Sequence, residues 1–242
     1  EQQVADRVVE IMPNANMQFT DLTFTGGDEG SSGGGLYIGE NSSVELYSVV
    51  IRDNHANAGG GGIYNDGVLK AYDTTIAHNT TGGDGGGLEN DSIVELERVT
   101  INDNSAAGSG GGIHHRTGGS NISMDYTTIS GNSADTGGAI DANRAIQIRN
   151  STIVGNSDDE KSGGLYLSGS EAVTLSNTVL ADNTSTDADE DEQQVDGTIV
   201  SLGFNFIENP SDNTLQDTDI VGSDPMLAAL ASNNGKVQTH AT

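Results

Sequence analysis

Short bursts of alternating apolar and polar residues recur along the chain, each closing on an apolar residue followed three positions later by asparagine. Six copies are evident: Ile51/Asn54, Ile76/Asn79, Ile101/Asn104, Ile129/Asn132, Ile153/Asn156 and Leu180/Asn183, with successive asparagines 25, 25, 28, 24 and 27 residues apart. Five residues before each apolar anchor lie Leu46, Ala71, Leu96, Met124, Ile148 and Leu175, and two before those lie Val44, Leu69, Val94, Ile122, Ile146 and Val173. A spacing of two places both sets on one face of a strand, with polar neighbours on the other. A second series keeps step: Gly33-Gly34-Gly35-Leu36, Gly60-Gly61-Gly62-Ile63, Gly85-Gly86-Gly87-Leu88, Gly110-Gly111-Gly112-Ile113, Gly137-Gly138-Ala139-Ile140 and Ser162-Gly163-Gly164-Leu165. Each repeat therefore reads as a strand after the glycines, a turn, and two more strands ending at the asparagine.

Repetition at this period is the signature of a stacked architecture. Strands one repeat apart must pair in parallel, about 4.8 Å apart. The expected fold is all-β, a single-stranded right-handed parallel β-helix, the hand following from the crossover rule. About eight coils of roughly 25 residues give a rod roughly 40 Å long. Residues 1–242 read as one β-helix domain, with an opening coil in 1–32, regular repeats in 33–185 and irregular coils in 186–242. The asparagines Asn54, Asn79, Asn104, Asn132, Asn156 and Asn183 are expected to form a ladder, each amide donating to the next coil and accepting from the previous one. Their tolerance of left-handed backbone suits a tight corner. The glycines are expected at another corner that admits no Cβ.

Composition fits a narrow core. Apolar residues make up 33% of the 242 and aromatics 4%, with 34 glycines. Thirty-six acidic residues against nine basic ones give a formal net charge of −27. Such a surface repels phosphate backbones and anionic headgroups, so neither nucleic acid nor a membrane is an expected partner. Oxygen-seeking cations, Ca²⁺ first among them, are the natural counterpart. No cysteine is present, which removes disulfides and thiolate chemistry. The apolar run Met226-Leu227-Ala228-Ala229-Leu230-Ala231 is too short to span a bilayer.

On these motifs the chain resembles the parallel β-helix repeat proteins of bacterial and archaeal surfaces. Gly137-Gly138-Ala139-Ile140 and the Ile-x-x-Asn repeats are similar to those of chlamydial polymorphic outer-membrane proteins. Asn177-Thr178-Val179-Leu180-Ala181-Asp182-Asn183, Ser201-Leu202-Gly203-Phe204-Asn205-Phe206-Ile207, Asp224-Pro225-Met226-Leu227 and Gln238-Thr239-His240-Ala241 resemble the C-terminal string of "choice-of-anchor Q" β-helix proteins. The resemblance implies an extracellular or cell-surface location and supplies no catalytic residues. Those relatives continue into a further segment and an anchor, so the last coil here is expected to expose an edge open to strand addition and end-to-end filament assembly.

Candidate chemistry lies on the column after the glycines: Tyr37, Tyr64, Glu89, His114, Asp141 and Tyr166. In register these project outward, placing Glu89, His114 and Asp141 on successive coils, a carboxylate–imidazole–carboxylate set suited to acid–base work on a sugar. The plainer reading is a solvated column of mixed polar residues. Tyr37 and Tyr64, with Tyr47 and Tyr72 on the next face, are candidates for stacking on surface glycans, or ordinary strand formers. Asp187, Asp189, Glu190 and Asp191 are the candidate Ca²⁺ ligands, although the run lacks EF-hand spacing and equally suits a solvated loop. No other cofactor is implied. Asn41, Asn90 and Asn121 head the sequons offering glycosylation sites. Thr75, Thr100, Thr128 and Thr152 align in one column, a weak pointer to an ice-binding array. Two functions follow: a structural or adhesive surface module that self-associates through its ends, or a carbohydrate-active enzyme (lyase or glycosidase) or glycan-binding module using a lateral face. The first is favoured, because the chain has little Lys or Arg to neutralise a uronate.

Overall fold

A computed structural model describes residues 6–116, 118, 120–169, 171–186, 195–209, 215–222, 224–232 and 237–240. The chain is an all-β solenoid of about seven turns spaced about 26 residues apart. Among the described residues the strands form four parallel sheets, each joining strands from successive coils. Sheet I has eight strands, from Val9–Ile11 to Val195–Asp196, and sheet II has eight, from Asn16–Thr20 to Ile199–Ser201. Sheet III has nine, from Thr23–Thr25 to Ile220–Val221, and sheet IV has seven, from Asp28–Glu29 to Thr184–Ser185. Sheets I to III hold the three strands expected per repeat. Sheet IV is additional: a two-residue strand follows each ladder asparagine, as in His55–Ala56 and Thr80–Thr81. Two residues are too few to show a period-two pattern.

The core follows the predicted columns. Leu36, Ile63, Leu88, Ile113, Ile140 and Leu165 stack in register along sheet I with no exposed surface. Ile51, Ile76, Ile101, Ile129, Ile153 and Leu180 stack likewise along sheet III, each at most 1% exposed. Sheet IV contributes small inward residues, Ala56, Thr81, Ala106 and Ala134.

The six asparagines lie between sheets III and IV and are all buried. Asn79 Nδ2 donates to Asn104 Oδ1 at 3.0 Å and to the Ile51 carbonyl at 3.0 Å. Asn104 Nδ2 donates to Asn132 Oδ1 at 2.9 Å, and the pattern continues through Asn156 to Asn183. None of the six has a positive φ. The left-handed residue is the one before: Asp53, His78, Asp103, Gly131, Gly155 and Asp182, with φ between 53° and 67°. The asparagine side chain thus stitches coils together while its neighbour turns the corner. At the glycine corner the first residue of each true triplet has φ between 60° and 78°. The second admits no side chain: a Cβ on Gly111 would lie 2.4 Å from the Ser133 carbonyl oxygen. In the sixth copy serine replaces the first glycine, and buried Asp158 Oδ2 accepts the amides of Ser162 (2.6 Å) and Gly137 (3.1 Å).

The C-terminal segment folds back across sheet III. Ala231 and Thr239 pair through both amides, Thr100 Oγ1 donates to the Gln238 carbonyl at 2.8 Å, and His240 Nε2 lies 2.9 Å from Ser130 Oγ. Thr100 and Thr128 are buried, so the threonine column is no open array for ice.

Candidate functional site

Tyr37, Tyr64, Glu89, His114, Asp141 and Tyr166 are in register on the outer face of sheet I. The middle three are not the solvated column that their outward direction implies: Glu89 is 4% exposed, His114 8% and Asp141 3%. The connections leading into the glycine triplets form a lip over them. Ser32, Gly59 and Asp84 pair by parallel bridges, as do Ser109 and Thr136. Gly59 leaves the space that the Glu89 carboxylate fills; a Cβ there would lie 1.7 Å from Glu89 Oε2.

From this lip Asp84 converges on Glu89 and His114 beneath it, each of the three offering an atom within 4.8 Å of the others'. His114 Nδ1 is 3.7 Å from Asp84 Oδ2 and 4.0 Å from Glu89 Oε1. It is buried and has no hydrogen-bond partner. Asp84 is oriented by the Ser109 amide, which donates to Oδ1 at 2.8 Å and leaves Oδ2 facing the imidazole. Arg116 Nη1 reaches Glu89 Oε1 at 3.4 Å and Asp91 Oδ2 at 3.1 Å, and the Tyr64 hydroxyl donates to Asp91 at 2.5 Å. Burial pushes the Glu89 carboxyl up to about 7, outweighing the opposing pull of Arg116. Burial likewise raises Asp141, whose carboxylate accepts hydroxyls from Thr136 (3.2 Å) and Ser168 (3.1 Å). A carboxyl protonated near neutrality beside an imidazole has the makings of an acid–base pair. Asp141, one coil beyond His114, is held by hydroxyls. The tightest cluster is therefore Asp84–Glu89–His114, with Asp84 in the third place.

Tyr37 and Tyr64 stack on each other, ring centres 5.3 Å apart and 6° from parallel, with the Arg7 guanidinium 4.7 Å above the Tyr37 ring. Tyr47 and Tyr72 stack at 4.9 Å and 12°. Each ring thus spends one face on the tyrosine of the adjacent coil. Both faces of Tyr37 are covered, and its ring, with that of Tyr64, borders a shallow depression with Arg7 and Glu10. The acidic run with Asp187, Asp189, Glu190 and Asp191 lies outside the described residues. Asn41 and Asn121 are exposed, whereas Asn90 is fully buried and is no acceptor for a glycan. Its Oδ1 accepts from Asn65 Nδ2 at 2.7 Å and its Nδ2 lies 3.2 Å from His115 Nδ1. This second, shorter ladder was signalled by the spacing of 25 residues that Asn65, Asn90 and His115 share with the main one. Asp84 carried no comparable signal.

Residues 48–66 and 98–116 match the model of the Chlamydia polymorphic membrane protein (Chlamydia_PMP) repeat. Each stretch covers the same arc of a coil: a sheet III strand, the ladder asparagine, the sheet IV strand, the glycine corner and the sheet I strand carrying Tyr64 or His114. No curated protein and no solved structure matches the chain.

Proposed function

We propose that this chain acts as an extracellular or cell-surface β-solenoid, a stiff structural or adhesive rod. The observation that carries this reading is the repeat of polymorphic membrane proteins recurring two coils apart within an unbroken parallel stack. Antibody raised against the chain is expected to label intact cells of the source organism; labelling only after lysis contradicts surface display. Adhesion is tested with beads coated in the purified chain, which should bind host or neighbouring cells above beads coated with an equally acidic protein.

The ends suit axial association. Met17 and Leu22 are 44% and 46% exposed at one end of the described stack, and Leu202 and Phe204 are 63% and 72% exposed at the other. The outermost strands of sheet II, Asn16–Thr20 and Ile199–Ser201, each pair on one side only among the described residues. Light scattering should rise with concentration and micrographs should show lengthening rods; a monomer at every concentration removes the filament.

A second reading, a carbohydrate-active enzyme or glycan-binding module, is favoured by one observation: Glu89, raised to about 7, beside His114 on a lateral face. A glycan array with a polysaccharide-degradation assay tests it; silence in both, or full activity in Glu89→Gln and Asp141→Asn, ends it.

A further inference from the structure

We propose that Asp84, Glu89 and His114 form a binding site for a divalent transition-metal ion of the Zn²⁺ class, built across two adjacent coils under the lateral lip. The three side chains already converge, their donor atoms within 4.8 Å of one another. The separations of 3.7 and 4.0 Å from His114 Nδ1 to the two carboxylates exceed by well under 1 Å the roughly 3.3–3.5 Å between ligands on a tetrahedral Zn²⁺ with bonds near 2.0–2.2 Å. The Asp84 and Glu89 donors lie within 4.8 Å of each other, so binding draws the three side chains together by up to about 1.5 Å.

An acidic cluster alone would not single out a site. The independent observation is the His114 side chain, nine-tenths buried, whose Nδ1 has no hydrogen-bond partner and faces both carboxylates. A buried polar atom left unpaired is costly, and a metal ion is the partner that imidazole and two carboxylates share. The surroundings are built as ligand supports are in metal sites: the Ser109 amide fixes Asp84 Oδ1 and frees Oδ2, and Gly59 opens the space for Glu89. Imidazole is a ligand for Zn²⁺ and its neighbours but not for Ca²⁺, which seeks oxygen alone. Three protein ligands leave at least one coordination position for water. The Arg116 guanidinium, 3.4 Å from Glu89 Oε1, is a resident cation competing for the same carboxylate. Metal binding here neither requires the surface-rod role nor conflicts with it.

Isothermal titration of the purified chain with Zn²⁺ decides the matter. One tight site is expected, weakened about tenfold or more in each of Asp84→Asn, Glu89→Gln and His114→Asn. His78→Asn, at an exposed histidine 4.0 Å from Asp103, should leave the affinity unchanged. Arg116→Gln should tighten binding several-fold by removing the competing cation. Because Asp84 is only partly buried, Asp84→Asn keeps the test decisive if the buried variants fail to fold. Absence of binding, or affinity within twofold of wild type in Asp84→Asn, overturns the site.

Discussion

The asparagine ladder makes the sharpest prediction about stability. In Asn104→Leu the branched shape is kept, the side chain grows and the amide is lost. Asn104 Nδ2 no longer donates to the Ile76 carbonyl (3.0 Å) or to Asn132 Oδ1 (2.9 Å). Asn104 Oδ1 no longer accepts from Asn79 N and Asn79 Nδ2, both at 3.0 Å. Asn132 Oδ1 keeps the Asn104 amide and Asn79 Nδ2 keeps the Ile51 carbonyl, so the main loss is the buried Asn79 N–H left without its acceptor. Four hydrogen bonds at a net ~0.5–1.5 kcal/mol each, less what the apolar side chain regains, give a destabilisation of about 3 kcal/mol. For a chain of this size that lowers the melting temperature by roughly 6–12 °C, read from the far-ultraviolet circular dichroism of the β signal. Asn121→Leu, at an exposed position, is the control and should shift it little. A melt of Asn104→Leu within about 2 °C of wild type, or an equal loss in Asn121→Leu, would refute the ladder as a source of stability.

The glycine corner predicts a contrast between two identical changes. Gly111→Ala drives a Cβ against the Ser133 and Gly138 carbonyls at 2.4 and 2.6 Å and should melt far below Gly118→Ala, whose Cβ meets nothing within 4 Å; equal melts contradict the packing. Glu89 predicts a pH dependence: unfolded it ionises near 4.5, folded near 7, so the unfolded state holds fewer protons between those values. Its contribution therefore falls as pH rises through that window. Glu89→Gln, melted in chelator, should gain on wild type from about pH 5 to about pH 8; parallel profiles rule this out. The C-terminal strap predicts that His240→Ala, losing contacts to Ser130 Oγ and the Ala228 carbonyl (2.9 and 2.7 Å), speeds amide exchange at Ala231 and Thr239 about tenfold; unchanged exchange would show that the strap is held elsewhere.

Much of the fold was legible because a solenoid writes its contacts as a period. Ile51, Ile76 and Ile101 announce their stacking by recurring every 25 residues, and the inward columns of sheets I to III follow directly. What the period cannot show is the shape of the connections. Sheet IV escaped because strands such as His55–Ala56 are too short for alternation. The left-handed residue falls on Asp53 and its equivalents, since Asp, His and Gly share that column and no single residue type marks it. The site was half legible. Glu89 and His114 belong to a visible column, but their burial depends on a lip whose members, Gly59, Asp84 and Ser109, share no chemistry from coil to coil. For the same reason Asn90 read as an exposed sequon, although its register partner Asn65 makes it part of a buried ladder.

The central claim is that each repeat adds one rung directly on the last. The chain has no cysteine, so nitroxide labels can be placed at will on one outward column of sheet II, where Glu45, Lys70, Glu95, Ser123, Gln147, Thr174 and Val200 are in register. Pulsed electron–electron distance measurements between residue 45 and residues 147, 174 and 200 should give about 19, 24 and 29 Å, a rise of about 4.8 Å per coil. Distances that fail to increase in that order, or that rise by a different step at each coil, would contradict the stack.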